Sequence, residues 1–176
     1  MNLSTIIRHK IYMLVLLFML PVVQSTAAAT EDDYKNPLGC RDTGYEFNLN
    51  SLELLAKSQG VTQSMYFLHN LSAHKLTLYQ MKGEESSRGT YLNHQIGVGE
   101  WAVLSTTEPH MKFICTVPDS TRAYGKIVRC ADNIHVCEYT NVKYGLNNKG
   151  NYWLVNSSTK NGAIREVVRY GIIPAV

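Results

Sequence analysis

Between residues 61 and 155, short apolar runs follow one another at near-regular spacing, and each run is closed by a turn signal. Residues 64–70 are rich in aromatic side chains, and residues 75–81 and 111–117 alternate between apolar and polar positions. Such alternation is typical of strands that bury one face. About seven to nine strands of this kind predict an all-β fold, either a small antiparallel β-sandwich or a partly open barrel.

Three segments within this pattern carry more specific expectations. The glycines in residues 96–104 predict a bulge or a bend within that run. Residues 124–130 and 134–139 flank Ala131-Asp132-Asn133, and this arrangement predicts a β-hairpin. Residues 51–57 fit neither period cleanly, so both a helical turn and a strand stay open there.

The last segment of the chain changes from a strand period to a helical one. Ile164, Val167 and Val168 share one helical face, and charged residues occupy the opposite face. Gly171 is placed to end the element. These features predict a short amphipathic helix near residues 161–170. The candidate N-caps of this helix are Ser158, Thr159 and Asn161.

The first 29 residues have the features of a secretory signal. Arg8 and Lys10 precede an apolar run over residues 11–19, and small residues predominate at positions 24–29. The run is shorter than the ~20 residues of a bilayer-spanning helix, which favours a cleaved signal over a retained anchor. The predicted organisation is a signal peptide (1–29), an extended lead-in (30–43) and a single β-sandwich domain (44–176).

Charge and length narrow the class of function. The 176 residues carry a formal net charge of +3, and removal of the signal leaves 176 − 29 = 147 residues with a charge of 3 − 2 = +1. A charge this small argues against a dedicated nucleic-acid binder. No segment after the signal is apolar enough to span a membrane. A domain of this size builds a sufficient core by itself, and no cofactor is expected.

The exported part contains all four cysteines: Cys40, Cys115, Cys130 and Cys137. An even number in an oxidising compartment predicts two disulfides, in any of three pairings. Zinc ligation is disfavoured because the sequence has no Cys-x-x-Cys pair. His69 and His74 are interpreted as turn or strand-end residues rather than as metal ligands. The expected location is therefore periplasmic or secreted.

Five sequence blocks follow one another along the exported part. They are residues 63–72 (QSMYFLHNLS), 99–104 (GEWAVL), 111–115 (MKFIC), 134–137 (IHVC) and 149–155 (KGNYWLV). Their order resembles the enhanced-entry protein EnhB family, exported proteins of intracellular bacteria, over residues 40–172. The resemblance implies a periplasmic or secreted protein that is linked with bacterial invasion of host cells and survival there. It supplies no catalytic residues.

Recognisable catalytic motifs are missing from the sequence. It has no Gly-x-Ser-x-Gly elbow, no His-Glu-x-x-His and no glycine-rich phosphate loop. Cys137 with His135 is the best candidate for a thiol nucleophile, yet a disulfide role is favoured for Cys137. Glu100 and Glu138 form a remote candidate pair of glycosidase carboxylates.

Aromatic residues are the remaining compositional signal, with 11 Tyr and 2 Trp. Burial in the core is favoured for the tryptophans, and an exposed platform for a sugar or a partner protein is the alternative. The candidate binding surface consists of Trp101, Tyr139, Tyr144, Tyr152 and Trp153. Asn70 and Asn156 each begin a match to the glycosylation sequon.

These observations together predict an exported, non-enzymatic protein-interaction module. Its partner is expected to be another envelope protein or a host protein, bound through sheet edges or aromatic loops. The alternative is a module that binds cell-wall glycan, or a weak hydrolase acting in the periplasm. The aromatic residues near turns are the feature that favours this alternative.

Overall fold

The computed structural model describes residues 35–56, 64–81, 92–106, 108–139 and 152–169. The predicted signal peptide lies outside these ranges. The strands are β1 (Tyr45–Asn48), β2 (Ser51–Leu54), β3 (Ser64–Asn70), β4 (Leu76–Met81), β5 (Asn93–Ile96), β6 (Trp101–Thr106), β7 (Met111–Val117), β8 (Lys126–Val128), β9 (Ile134–Tyr139) and β10 (Tyr152–Ser157). The helices are α1 (Cys130–Asn133) and α2 (Lys160–Arg169).

The strands form two antiparallel sheets that pack as a β-sandwich. One sheet has six strands in the order β1-β2-β7-β4-β5, with β8 beside β7, and the other has four in the order β10-β6-β3-β9. The prediction of an all-β sandwich with a short C-terminal helix is confirmed. For residues 51–57 the sequence left both a helical turn and a strand open. Residues 51–54 form a strand, and residue 57 lies outside the described residues.

Strand β3 lies at the centre of the molecule, and all seven of its residues are buried. Tyr66 and Leu68 belong to the apolar cluster between the two sheets. Phe67 belongs to a second cluster, to which α2 contributes Ala163 and Val167. Because a layer covers each face of the strand, its sequence has apolar and aromatic residues on both sides and shows little alternation.

Two disulfides link the lead-in and α1 to the sheets. Cys40 pairs with Cys137 of β9 across 97 residues, and Cys115 of β7 pairs with Cys130 of α1 across 15. The segment closed by the Cys115–Cys130 bond lies within the segment closed by the Cys40–Cys137 bond. The prediction of two disulfides is confirmed, and the bonds indicate an oxidising environment outside the cytoplasm.

Part of the predicted lead-in is bound to the edge of the four-stranded sheet. Arg41 and Glu138 exchange backbone hydrogen bonds of 3.0 and 2.8 Å. The Tyr139 hydroxyl donates to the carbonyl of Leu38, and Pro37 is buried. These contacts cover part of the β9 edge, which would otherwise offer unpaired backbone groups to another strand.

The run at residues 96–104 is divided between two strands instead of forming one bent strand. Gly97 to Glu100 make a tight turn between β5 and β6, and these strands belong to different sheets. The Glu100 carboxylate accepts the N–H of Gly97 at 2.7 Å, and Gly99 has a φ of 67°. The glycines therefore allow the chain to cross from one sheet to the other.

The predicted hairpin around residues 131–133 is wrong. Strand β8 pairs with β7 in the six-stranded sheet, whereas β9 pairs with β3 in the four-stranded sheet. Helix α1 joins the two strands, and buried Cys130 fixes this corner through its disulfide to Cys115. Local turn residues signalled a change of direction, but they carried no information about the sheet in which each strand finds its partner.

Helix α2 confirms the predicted C-terminal helix near residues 161–170. Thr159 is its N-cap, because the Thr159 hydroxyl accepts the N–H of Gly162 at 3.0 Å. Ala163 and Val167 are buried, but Val168 is 51% exposed and lies off the buried face on which the helical pattern had placed it. Neither helix in the described part of the chain is long and apolar enough to cross a membrane.

Side chains also join the two sheets at the β5 and β10 edges. His94 Nε2 donates to the Asn156 side-chain oxygen at 2.7 Å, and the Asn156 amide donates to the Gln95 carbonyl at 2.7 Å. Burial lowers the pKa of His94 below its ordinary value of 6.5, and the hydrogen bond to Asn156 and the charge of Glu100 oppose this shift. The folded protein therefore disfavours the protonated imidazole.

We expect His94 to make the protein less stable in mild acid. Protonation favours the unfolded chain, so the stability contributed by neutral His94 is complete above pH 6.5 and is lost as the pH falls toward the lowered pKa. The slope is at most about 1.4 kcal/mol per pH unit, the limit for one proton. Urea unfolding of His94→Gln between pH 7 and 5 should show a flatter pH dependence than the parent. The exposed His74→Gln control should match the parent, and equal slopes for all three proteins would contradict this account.

Candidate functional site

The two sheets differ in what covers their outer faces. Helix α2 packs on the outer face of the four-stranded sheet, where its residues contact β6 and β10. Among the described residues, no helix packs on the outer face of the six-stranded sheet. The residues that point outward there alternate with the core residues of β4 and β7. We call this surface the open face; it includes Thr77, Tyr79, Met81, Lys112, Ile114 and Thr116.

One end of the open face holds an apolar cleft of about 300 Å³. Leu49 and Met81 flank it with 84% and 42% of their surfaces exposed, and half-buried Ile114 lies between the strands. Asn48 and Lys112 supply polar groups at the rim. An apolar pocket with a polar rim is the usual form of a site that accepts one hydrophobic side chain of a partner.

Leu49 has an unusual backbone conformation for a leucine. It is the first residue of the two-residue turn between β1 and β2, in which Asn48 pairs with Ser51. Its φ is 51°, and it is the one residue other than glycine with a positive φ in the described ranges. Glycine or asparagine adopts this conformation at lower cost, and for other residues the penalty is roughly 1–2 kcal/mol. An exposed leucine in a strained conformation at a cleft indicates a role outside the fold.

The other end of the open face holds a polar groove of about 260 Å³. Thr77 and Thr116 form its buried floor, and the loop over residues 118–125 forms one wall. Tyr79 lies at the side, and its ring meets the ring of Tyr124 edge to face with centroids 6.1 Å apart. Tyr124 is 76% exposed, so it supplies an accessible aromatic ring next to the groove.

Charges around the polar groove are predominantly positive. Lys75 and Arg122 line it, and Lys75 forms no hydrogen bond or ion pair within the described ranges. The carboxylate of Asp119 accepts hydrogen bonds of 2.8 and 2.7 Å from the backbone and hydroxyl of Thr121, which lower the pKa of Asp119. Its contact with Arg122 is longer, with 3.9 Å between Nε and Oδ2. The groove therefore has two cations and one anion that is already hydrogen-bonded.

Two of the five aromatic residues proposed as a binding surface are buried. Trp101 is 0% exposed and stacks on His69, with ring centroids 4.3 Å apart and planes 3° apart. Tyr139 packs against Phe67, and burial raises the pKa of its hydroxyl. Both rings lie under α2 and the lead-in, so neither presents a platform to solvent. For Trp101, this agrees with the favoured assignment to the core.

The remaining three aromatic residues are not brought to a described surface. Tyr144 lies outside the described residues. Tyr152 and Trp153 are in β10, where their backbones pair with Thr106 and Ser105, and their side chains also lie outside the description. The exposed aromatic residue at the open face is instead Tyr124, which the sequence pattern did not single out.

The candidate catalytic residues do not assemble into a site. Cys137 is bonded to Cys40 and offers no thiol beside His135. The backbones of Glu100 and Glu138 meet β3 at Asn70 and Tyr66 respectively, so these backbone positions are offset by ~13 Å along the strand. In this structure, the Glu100 carboxylate caps a turn and the Glu138 carboxylate is buried between the sheets.

The histidines have separate partners and do not converge. His94 contacts Asn156, whereas His110, which lies just before β7, is 3.2 Å from the carboxylate of Glu53 in β2. In the described ranges, no three His, Cys, Asp or Glu side chains are close enough to hold a metal ion. His69 is the next-to-last residue of β3 and His74 lies between β3 and β4, which are the turn or strand-end positions expected for them.

Asn70 is a structural residue in this fold. Its side-chain amide donates to the carbonyls of His74, Ile96 and Gly97 at 2.8–3.0 Å, and its oxygen accepts from Ser72. The residue is 1% exposed, so its sequon is inaccessible in the folded protein. The second sequon residue, Asn156, is exposed and belongs to the link with His94.

No family model, no curated protein sequence and no solved structure matches this chain. The function is therefore inferred from the fold and from its surfaces. The chain is a disulfide-bonded β-sandwich with two antiparallel sheets and one short C-terminal helix. In the part of the chain that the structure describes, the open face has an apolar cleft and a positively charged groove on two neighbouring strands.

Proposed function

We propose that this protein is an exported, non-enzymatic interaction module that binds another protein through the open face. The observation that carries the proposal is Leu49, which is 84% exposed at the apolar cleft and has a φ of 51°. A glycine at this turn would cost the fold less, so a requirement outside the fold explains a leucine better than stability does.

The chemistry of the cleft supports a protein partner. Leu49, Met81 and Ile114 offer aliphatic and thioether surface to a side chain, and flexible methionine adapts to partners of different shape. Lys112 at the rim bonds to Glu53 at 2.6 Å, so its charge is already paired. Apolar anchors that enter such a cleft supply most of the binding energy at protein interfaces.

The proposed location of the protein and its resemblance to a known family indicate the class of partner. Two disulfides indicate an oxidising compartment, and the N-terminal sequence has the features of a secretory signal. The proposed location is therefore the periplasm or the extracellular medium. The resemblance of five sequence blocks to the EnhB family supports an envelope protein or a host protein as the partner, in a role linked with host-cell invasion.

Glycan binding is the second candidate function, and exposed Tyr124 beside the polar groove is the observation that favours it. An exposed aromatic ring next to hydrogen-bonding groups suits the face of a sugar ring. Titration calorimetry with soluble peptidoglycan fragments tests this function. Saturable binding that is lost in Tyr124→Ala supports it, whereas no heat of binding at millimolar fragment rejects it.

We expect Leu49→Gly to weaken partner binding without lowering the stability of the fold. The substitution removes the exposed side chain and relieves the positive φ, so the free energy of unfolding should be equal or higher by up to about 1 kcal/mol. Met81→Ser should also weaken binding because it removes apolar surface from the cleft. Affinity is measured with a purified partner that wild-type protein recovers from envelope or host-surface extracts.

The matched control is Val168→Ser on α2, where the side chain is 51% exposed and far from the open face in the fold. The dissociation constant should rise at least about tenfold for Leu49→Gly and Met81→Ser, which corresponds to 1.4 kcal/mol, and should not change for the control. Equal affinity of all four proteins for the partner would reject the open face as the binding surface.

A further inference from the structure

We infer that the partner segment is an extended peptide that places an apolar side chain in the cleft and a carboxylate in the polar groove. The carboxylate is that of an aspartate or glutamate side chain, or that of a chain terminus. This docking mode rests on the proposed function, since it requires a protein ligand at the open face. It adds the chemical class of the ligand and the direction in which it lies.

The geometry of the open face defines one track from the cleft to the groove. Met81 borders the cleft and Thr77 lies in the floor of the groove, four residues apart on the same strand. On the neighbouring strand, Lys112 and Thr116 are related in the same way and pair with Met81 and Thr77. The two sites are therefore ~13 Å apart, which an extended peptide spans with about four residues.

The charge of the groove selects an anionic group. Lys75 has no hydrogen bond or ion pair within the described ranges, and Arg122 has one long contact with Asp119. The Thr121 hydrogen bonds keep the Asp119 carboxylate ionised, so it offsets one of the two cations, and the groove has a net charge of 2 − 1 = +1. A guanidinium and an ammonium beside threonine hydroxyls form charge-assisted hydrogen bonds with a carboxylate.

An acidic peptide fits this surface better than an acidic sugar does. The apolar cleft lies on the same two strands as the groove, and a sugar has no aliphatic side chain to fill it. The rings of Tyr79 and Tyr124 also meet edge to face, so Tyr79 does not add a second flat platform beside Tyr124. The mixed character of the track, apolar and then cationic, matches a peptide with two kinds of side chain.

Selection from a random peptide library displayed on phage tests this inference, with the oxidised mature protein as target. The paired variants are Lys75→Glu/Arg122→Glu and Leu49→Gly/Met81→Ser. The matched control is Arg165→Glu/Arg169→Glu, which makes the same change in charge on exposed positions of α2. Circular dichroism confirms that each variant is folded, and Lys75→Gln/Arg122→Gln replaces the first variant if charge reversal disturbs the fold.

The selected peptides should contain Asp or Glu, or a free C-terminal carboxylate, about four residues from a large apolar residue. Synthetic copies should bind the charge-reversal variant at least about tenfold more weakly than the control, and their affinity should fall as salt is raised. Peptides that require Leu49 and Met81 but bind the charge-reversal variant normally would overturn the carboxylate site and leave the proposed function standing. Selection of no peptide would overturn the extended-peptide docking mode alone, because the proposed function also includes a folded partner. Tighter binding of galacturonic acid oligomers than of any peptide would overturn both.

Discussion

Removing the Cys40–Cys137 disulfide is expected to lower the free energy of unfolding by about 4.5 kcal/mol, whereas removing Cys115–Cys130 is expected to lower it by about 3 kcal/mol. The first bond closes a loop with a sequence separation of 97 residues and the second closes one of 15. A bond that closes a longer loop restricts the unfolded chain more, and the logarithmic dependence gives a difference of about 1.5 kcal/mol between these two.

Urea denaturation of the two double alanine variants, Cys40→Ala/Cys137→Ala and Cys115→Ala/Cys130→Ala, measures this order. The Cys40–Cys137 bond lies at β9 and the lead-in, on the other sheet from the open face. Its loss should therefore destabilise the protein without changing affinity for a partner at the open face. A larger stability loss from the Cys115–Cys130 pair would show that native packing at α1, rather than loop closure, dominates the effect.

We expect Gly44→Ala to lower the free energy of unfolding by about 3 kcal/mol and Gly99→Ala to lower it by about 1 kcal/mol. Both glycines have a positive φ, 74° for Gly44 and 67° for Gly99, so alanine is strained at each. The difference is in their surroundings. A Cβ on Gly44 would lie 1.9 Å from a carboxylate oxygen of Glu138, whereas a Cβ on Gly99 would meet nothing within 4 Å.

The Gly44 site has little freedom to relax. Glu138 is 1% exposed and its hydrogen-bond partner Thr43 is adjacent to Gly44, while the Tyr66 hydroxyl donates to the Gly44 carbonyl at 2.9 Å. Burial, and next the charge of Glu138, raise the pKa of Tyr66, so its hydroxyl keeps its proton and remains a donor. Thermal and urea unfolding of both alanine variants measure the two losses, and equal losses would mean that the carboxylate moves aside at little cost.

The sequence was sufficient to predict the class of fold because alternation is a local property. The strands β4 and β7 and the helix α2 were visible as periods of two and of 3.6 residues. The pairing of strands was not visible, because partners are set by packing between distant segments. This is why the hairpin around residues 131–133 was predicted wrongly and why the disulfide pairing was left open.

The candidate site was harder to predict than the fold. Aromatic residues were the signal available in the sequence, yet Trp101 and Tyr139 are buried by α2 and the lead-in. Which sheet keeps an accessible outer face depends on where the helix docks, and no local pattern reports this. Leu49 stands between Asn48 and Asn50, two residues that favour turns, so the sequence shows an apolar residue within a turn. Its positive φ is a property of the folded hairpin and is not visible in the sequence.

Site-specific photo-crosslinking in the native compartment tests the central claim, that the open face binds the partner, most directly. Benzoylphenylalanine is placed singly at Met81 and Tyr124 on the open face and its groove, and at Val168 on α2 as the control; all three positions are exposed. The account predicts one discrete adduct with the same partner from Met81 and Tyr124 and none from Val168. An adduct from Val168 without any from Met81 and Tyr124 would contradict it and would assign binding to the helical side of the sandwich.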